Sequence, residues 1–226
     1  MSKTTVQSPC RCPGIKDPFS GISHLVGAVL SVAGLAVLVY YACRYGTVKH
    51  IVTFAIFGAA LILLYSASAV YHLLDVSEKI NLNLRRIDHM MIYVLIAGTY
   101  TPVCIIALPK VWGISLLVGV WVLAAAGIIL AVVWFSAPRW FTTTLYVLMG
   151  WIVVIAFLPL VRSLPAPALS WLVGGGLAYT VGAVIYGTKW FPVKSKIVGF
   201  HEIFHLFVMG GSFAHYWLML RYLLYI

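Results

Sequence analysis

The feature of this sequence that most constrains its fold is the recurrence of long apolar stretches along almost its whole length. Each stretch is close to the roughly 20 residues that an α-helix needs to cross the hydrocarbon core of a bilayer. Hydrophobic residues make up 63% of the 226 residues and charged residues only 9%, a composition too apolar for a soluble domain. The sequence therefore predicts an all-α integral membrane protein that crosses the membrane several times.

Seven transmembrane helices are predicted from these stretches and from the polar or proline-containing segments between them. They cover residues 22–44, 52–74, 86–108, 112–135, 141–161, 167–188 and 197–224. Residues 1–20 contain three prolines and are expected to form a flexible cytoplasmic tail. Residues 21–226 are expected to form a single seven-helix transmembrane domain. No removable signal peptide is expected, because the first apolar stretch follows a long polar segment and is as long as a full span.

The distribution of basic residues predicts how the bundle is oriented. With the amino terminus in the cytoplasm, ten of the 15 Lys and Arg residues fall on the cytoplasmic side and five on the exterior side. The positive-inside rule therefore predicts a cytoplasmic amino terminus and an exterior carboxyl terminus in the plasma or inner membrane. The net charge of +10 is spread over short clusters between the spans, so no nucleic-acid partner is expected.

A few polar side chains stand out within the predicted helices. A charged group at membrane depth costs about 2.5–3.5 kcal/mol on insertion scales, so such residues normally face inward and serve a function. The residues are Ser68 and His72 late in helix 2, Asp88 and His89 at the start of helix 3, and His201, Glu202 and His205 early in helix 7. In the predicted topology all of them lie in one layer near the cytoplasmic leaflet.

The spacing of the histidines predicts a zinc site. His201 and His205 are four residues apart and share one helix face, and Ser68 and His72 have the same spacing on helix 2. Three imidazoles can bind one zinc ion and leave a fourth position open, and nitrogen ligands favour zinc over calcium or magnesium. Asp88 is expected to hold or deprotonate water at the metal, or to orient a histidine. Ser68 is expected to hydrogen-bond that water or a substrate oxygen.

The same residues are also compatible with other roles. Histidines in membrane helices also serve as packing residues that hydrogen-bond between helices, and Asp88 could instead pair with Arg85 or Arg86. The segment from His201 to His205 also fits HExxH, the zinc-protease motif in which the glutamate, here Glu202, activates water. The third histidine on helix 2 favours the three-histidine site over intramembrane proteolysis.

Two further histidines, His24 and His215, lie within the predicted helices. His24 begins helix 1 and could either line the site or lie at the membrane interface. His215 lies ten residues after His205, about 15 Å further along the helix. It is therefore too far away to bind the same metal ion, and a packing role or a separate polar contact is expected for it.

Three sequence blocks carry a resemblance to a known family. They are Ser68-x3-His72 after Phe57-Gly58, Arg86-Ile87-Asp88-His89 running on to Ala97-Gly98-Thr99-Tyr100-Thr101-Pro102, and His201-Glu202-Ile203-Phe204-His205. With these blocks in this order, the chain resembles the hemolysin III family, which is similar to the progestin and adipoQ receptors and more remotely to the alkaline ceramidases. The resemblance implies a seven-helix bundle with zinc bound by His72, His201 and His205, and with Asp88 and Ser68 beside the metal-bound water.

The similarity to ceramidases implies a zinc-dependent hydrolase of a lipid amide or ester. Its partners would be membrane lipids, with a lipid substrate or a fatty-acid product inside the bundle. Two alternatives belong to other classes of protein. One is a pore or membrane-perturbing protein in which zinc is structural, and the other is a receptor-like membrane-homeostasis protein whose ligand does not react.

Overall fold

The computed structural model describes residues 15–134, 136–189 and 199–226. Within these ranges, seven helices are long and apolar enough to cross a membrane. They are α1 (Pro18–Tyr45), α2 (Val48–Leu73), α3 (Glu78–Ala107), α4 (Lys110–Val133), α5 (Arg139–Ser163), α6 (Ala166–Thr188) and α7 (Phe200–Tyr225). The predicted seven-helix membrane bundle is confirmed, and the chain is a multi-pass membrane protein. The direction in which it crosses the membrane stays a prediction.

Six of the seven helices begin earlier than the sequence predicted, and the differences in α1 and α3 affect candidate site residues. α1 begins at Pro18, directly after its N-cap residue Asp17, so the boundary predicted at residue 20 falls inside the first helix. Residues 1–14 of the predicted tail lie outside the described residues. α3 begins at Glu78 rather than at residue 86. Its first two turns are polar, so the apolar pattern of the sequence did not include them. Asp88 is therefore not at the start of α3 but ten residues into it, about 15 Å along the helix axis.

The helices pack around a core between α2, α3 and α7. α1 lies against α2, α6 lies against α7, and α7 also contacts α1. α3 is the most enclosed of the seven. In its most apolar 18-residue stretch 61% of the residues are buried, whereas the corresponding stretches of α4 and α5 have 17% buried. The outward apolar side chains of α4 and α5 are therefore left to face lipid. Phe54 and Phe57 of α2, and Leu218 and Met219 of α7, are among the largest fully buried side chains.

α6 and α7 approach each other closely because α6 carries small residues on the facing side. Ala168, Gly175 and Gly182 recur every seven residues along α6, and all three are buried. A Cβ atom at Gly175 would overlap the ring of His215 on α7. Small residues allow this kind of close approach between membrane helices. His215 is buried and donates a hydrogen bond from Nδ1 to the Gly211 carbonyl at 2.8 Å, which is a polar contact within its own helix.

α3 and α5 meet where each departs from regular α-helix. Pro102 of α3 is followed by a π-helical turn over Val103–Ala107, and α5 contains a 3₁₀-helical turn over Ile152–Ala156. The Tyr100 hydroxyl accepts a hydrogen bond from the Val153 N–H at 2.9 Å and donates one to the Gly150 carbonyl at 2.6 Å. One tyrosine therefore satisfies backbone groups that the irregular turn leaves free within the membrane.

Candidate metal centre

The polar residues singled out in the sequence gather at one end of the bundle, where α2 ends and where α3 and α7 begin. Ser68 and His72 lie in the last two turns of α2, and His201 and His205 lie in the first two turns of α7. Ser68, His72, Asp88 and His205 are buried, and His201 is half-buried. We call this region the site end of the bundle.

Three imidazole rings form a compact cluster at the site end. The ring centroids lie 4.8 Å apart for His72 and His201, 5.0 Å for His72 and His205, and 4.4 Å for His201 and His205. One nitrogen from each ring lies within 4.8 Å of the others. α7 supplies two of the rings because a spacing of four residues repeats the same helix face. The third ring is that of His72, which lies at the end of α2, next to the start of α7.

The donor atoms of this cluster fit a metal ion that prefers nitrogen ligands. The Nε2 atoms of His72 and His201 face each other at 3.0 Å. Two nitrogen lone pairs at this distance need a proton or a cation between them. Two ligands bound 2.0–2.1 Å from a tetrahedral zinc ion lie about 3.3 Å apart, which is close to the observed separation. His205 Nδ1 is buried and has no hydrogen-bond partner among the described residues. The three histidines could therefore hold one metal ion.

A carboxylate outside the first helix contacts one of these rings. Asp17 Oδ2 lies 3.1 Å from His72 Nδ1. A carboxylate accepts hydrogen bonds, so the shared proton is assigned to Nδ1, and the Nε2 lone pair of His72 is left to face His201. The hydrogen bond from His72 holds the pKa of the Asp17 carboxyl group below its ordinary value. Asp17 lies within the segment predicted to be a flexible tail, so this contact was not predicted.

His24 of α1 is a fourth imidazole beside the cluster. Its ring stacks on that of His205 with a centroid distance of 3.7 Å, and both rings are buried. Neither ring nitrogen of His24 has a hydrogen-bond partner among the described residues. Of the two positions weighed from the sequence, the structure therefore places His24 at the site. The spacing of the other histidines gave no signal for it, because α1 carries a single histidine.

Asp88 and Ser68 lie on the wall of the cavity next to the imidazole cluster. Asp88 is buried on α3, and the Ser68 side chain of α2 lies close enough to act on its carboxyl group. Both residues line the cavity together with His201 and His205. A carboxylate with a hydroxyl beside it can accept a proton from a water molecule and hold it near a metal ligand. The structure brings all five predicted site residues to the same end of the bundle.

Glu202, the glutamate of the HExxH pattern, is engaged elsewhere. Its Oε2 accepts a hydrogen bond from the Gly199 N–H at 2.7 Å, and its Oε1 accepts one from the Ser20 hydroxyl at 3.1 Å. The first of these bonds caps the amino-terminal turn of α7, and the second ties that turn to α1. Both carboxylate oxygens therefore serve helix packing, which argues against the protease interpretation of this motif.

A cavity of about 220 Å³ extends from the histidines into the bundle. Residues of α1 to α7 line it, and its polar ones include Ser68, Asp88, Thr99, Tyr179, His201 and His215. Apolar side chains of α3 and α4, such as Ile96 and Leu130, line the same space. The Trp151 indole N–H, also at the wall, donates to the Thr180 hydroxyl at 2.8 Å. The cavity therefore joins a polar end at the histidines to a largely apolar interior.

Comparison with known proteins identifies the family. Residues 14–216 match the family described as Haemolysin-III related. The chain belongs to the hemolysin III family. The Hemolysin-3 homolog of Bacillus subtilis (strain 168) is 39% identical over 203 residues, which cover 90% of this chain and 92% of that protein. Hemolysin-3 of Bacillus cereus is 36% identical over 205 residues, which cover 91% of this chain and 90% of that protein.

A shorter match links the hemolysin III family to a wider group. An adiponectin receptor protein of Drosophila melanogaster is 43% identical over 54 residues, which cover 22% of this chain and 12% of the receptor. The resemblance to the hemolysin III family that the sequence blocks carried is confirmed, and the similarity to the progestin and adipoQ receptors is supported.

Proposed function

We propose that this hemolysin III protein is a zinc-dependent hydrolase that cleaves an amide or ester bond of a membrane lipid. The observation that carries the proposal is the shared location of two sets of residues. His201 and His205 of the imidazole cluster line the same cavity as Asp88 and Ser68. A metal ligand set, a base and a space for a substrate therefore occur together in the apolar interior of a membrane bundle. The remote resemblance to alkaline ceramidases favours a lipid amide.

Zinc is the metal that the donor set favours. His72, His201 and His205 offer three neutral nitrogen ligands, which match a catalytic zinc site with three protein ligands and one open position. Calcium and magnesium require more oxygen ligands than this cluster offers. When bound, zinc supplies a Lewis acid that polarises a carbonyl group and makes water a good nucleophile near neutral pH.

The residues of the chain supply the proton transfers. We assign Asp88 as the general base, whose carboxylate accepts a proton from the water that attacks the carbonyl carbon. As the carbon–nitrogen or carbon–oxygen bond breaks, the protonated carboxyl group of Asp88 returns this proton to the leaving amine or alcohol. The Ser68 hydroxyl, next to Asp88, orients the carboxylate or donates to the substrate oxygen. The products are a fatty acid and an amine or alcohol.

The cavity is assigned to the acyl chain of the lipid. Its interior walls include Ile96 of α3 and Leu130 of α4, so an alkyl chain there buries apolar surface against apolar surface. The scissile bond would then lie at the polar end, beside the histidines. A fatty-acid product would occupy the same space until it is released.

The direct test is turnover by the purified protein in detergent or in vesicles. Zinc-loaded wild type is expected to release free fatty acid from a ceramide or an ester lipid, and removal of the metal by a chelator is expected to abolish this release. Absence of turnover on any lipid amide or ester with zinc bound would refute the proposal. Binding of a lipid without product formation would instead favour a receptor-like role.

A membrane-perturbing protein is the second candidate. The observation that favours it is the name of two relatives, Hemolysin-3 of Bacillus cereus at 36% identity and the Hemolysin-3 homolog of Bacillus subtilis at 39% identity. In this case the three histidines would hold a structural metal ion. Leakage of dye from vesicles containing the wild type, unchanged in Asp88→Ala, would support this candidate. Leakage equal to that of protein-free vesicles would exclude it.

A further inference from the structure

The segment before the first helix runs along the end of α2. Ile15 forms an isolated antiparallel bridge with Leu74, and the Asp17 N–H donates to the His72 carbonyl at 2.9 Å. His72 is the second-to-last residue of α2, so its carbonyl has no partner further along the helix. The backbone of residues 15–17 therefore completes the hydrogen bonding at the end of α2. We call this segment the strap.

The side chain of Lys16 fixes the strap to two neighbouring helices. Its Nζ donates to Asn81 Oδ1 on α3 at 2.9 Å and lies 3.6 Å from the ring centroid of Tyr71 on α2. A cation over an aromatic face is attracted by the negative face of the ring. The backbone contacts hold the strap to α2, and Lys16 also ties it to α3.

The side chain of Asp17 acts on the imidazole cluster itself. Its Oδ2 contacts Nδ1 of His72 at 3.1 Å, while Nε2 of the same ring faces Nε2 of His201 at 3.0 Å. An imidazole bound to a metal through one nitrogen usually donates its other N–H to a carboxylate, carbonyl or water. Such a partner fixes the tautomer and the orientation of the ring. Asp17 stands in this position for His72.

The position of His72 explains why it needs this support. His201 and His205 lie one turn apart on α7, so the helix sets their relative positions. His72 is one residue from the end of α2, where the chain turns away from the helix. The contact of Asp17, which comes from outside α2, therefore helps to hold its ring towards α7.

We propose that Asp17 is a positioning residue that orients the His72 ring for metal binding, and that the strap of residues 15–17 holds it in place. This inference rests on the metal binding of the proposed function. It assigns a role in the metal centre to a residue outside the membrane helices. Removal of the Asp17 carboxylate is expected to weaken metal binding while leaving all three histidines present.

The test compares zinc affinity among purified full-length variants by competition with a zinc chelator. Asp17→Ala is expected to weaken zinc binding by about 10- to 100-fold, the range typical for loss of a group that orders a metal-bound histidine. Asp17→Asn keeps an acceptor oxygen and is expected to lose less. The matched control is Asp75→Asn, because Asp75 is an exposed carboxylate near the strap. Its zinc affinity is expected to equal that of the wild type.

A second measurement separates this inference from the proposed function. Nitrogen NMR of the zinc-free protein is expected to show His72 protonated on Nδ1 in the wild type and as a mixture of tautomers in Asp17→Ala. The same tautomer in both proteins would overturn the inference, whether or not the wild type binds zinc. Equal zinc affinities of Asp17→Ala and the wild type, with His72→Ala losing zinc, would also overturn it. A wild type that binds no zinc, with a His72 tautomer that still depends on Asp17, would refute metal binding and the proposed function but leave the orientation of the His72 ring by Asp17 standing.

Discussion

His72, the second-to-last residue of α2, and His201, the second residue of α7, face each other with their Nε2 atoms 3.0 Å apart. The two residues are separated by 129 positions in the sequence. Their contact therefore depends on how two helix ends meet. Residues that fix those ends, such as Asp17 at α2 and Glu202 at α7, support the cluster without belonging to it.

Substitution of Asp88 is expected to reduce lipid hydrolysis without reducing zinc binding, whereas substitution of a metal-binding histidine is expected to reduce both. Asp88→Asn keeps the size of the side chain but removes the base, so lipid hydrolysis is expected to fall by about 100-fold or more. Zinc content is expected to stay at the wild-type level, because Asp88 is not one of the three ligands. Parallel assays of fatty-acid release and zinc content check this. Loss of zinc from Asp88→Asn would place Asp88 among the ligands instead.

Ser68→Ala is expected to give a smaller defect than Asp88→Asn. It removes one hydrogen bond next to Asp88, and such a bond is worth about 0.5–1.5 kcal/mol. Fatty-acid release is therefore expected to fall by about tenfold or less, with zinc retained. A loss as large as that of Asp88→Asn would mean that Ser68 itself takes part in the proton transfer.

Glu202 provides a test against the protease interpretation. Glu202→Gln keeps an oxygen that can accept from the Gly199 N–H or the Ser20 hydroxyl. We expect fatty-acid release to change by less than about threefold. The free energy of unfolding is expected to fall by about 1 kcal/mol, an amount typical of a weakened helix cap. In a protease of the HExxH type, this substitution would abolish turnover. Complete loss of activity with zinc still bound would therefore contradict the assignment of Asp88.

The three consecutive glycines of α6 allow a matched test of helix packing. A Cβ atom at Gly175 would overlap the His215 ring, whereas a Cβ atom at Gly174 would have nothing within 4 Å. Overpacking of this kind costs about 1–3 kcal/mol. Gly175→Ala is therefore expected to lower the melting temperature, and Gly174→Ala, at an exposed position, is expected to leave it unchanged or raise it. Equal melting temperatures would show that α6 and α7 are less close than described.

Gly176 tests whether the cavity holds the acyl chain. It lines the cavity, and a Cβ atom there would have nothing within 4 Å. Gly176→Leu is expected to fill part of the cavity and to shift hydrolysis towards lipids with shorter acyl chains, with zinc content unchanged. Gly174→Leu, on the exposed side of the same helix, is the control. An unchanged preference for chain length in Gly176→Leu would place the acyl chain outside the cavity.

The number and order of the helices could be predicted from the sequence because each span leaves a local signal of about 20 apolar residues. Most of the residues at which the helices begin and end could not be predicted in this way. Hydropathy locates the apolar layer, whereas a helix continues as long as its backbone bonds are satisfied. The polar turns at the start of α3, from Glu78 onward, therefore appeared as a loop. The start of α1 did carry a local signal, since Asp17 followed by Pro18 is typical of a helix amino terminus.

The candidate site was predictable in part for the same reason. His201 with His205, and Ser68 with His72, repeat at helical spacing, and this local pattern indicated a shared face. The contacts of Asp17 with His72 and of His24 with His205 join residues far apart in the sequence. No spacing reveals such contacts, because they depend on how α1 packs against α2 and α7. Asp17 and His24, which were not among the predicted site residues, both belong to this first part of the chain.

The most direct test of the account is elemental analysis of the purified protein. We predict about one zinc ion per chain in the wild type and in His215→Ala, whose substituted histidine lies on α7 but is bonded to its own helix. We predict less than a tenth of that amount in His201→Ala. Equal zinc content in the wild type and His201→Ala, or no zinc in the wild type after incubation with the metal, would contradict zinc binding by His72, His201 and His205.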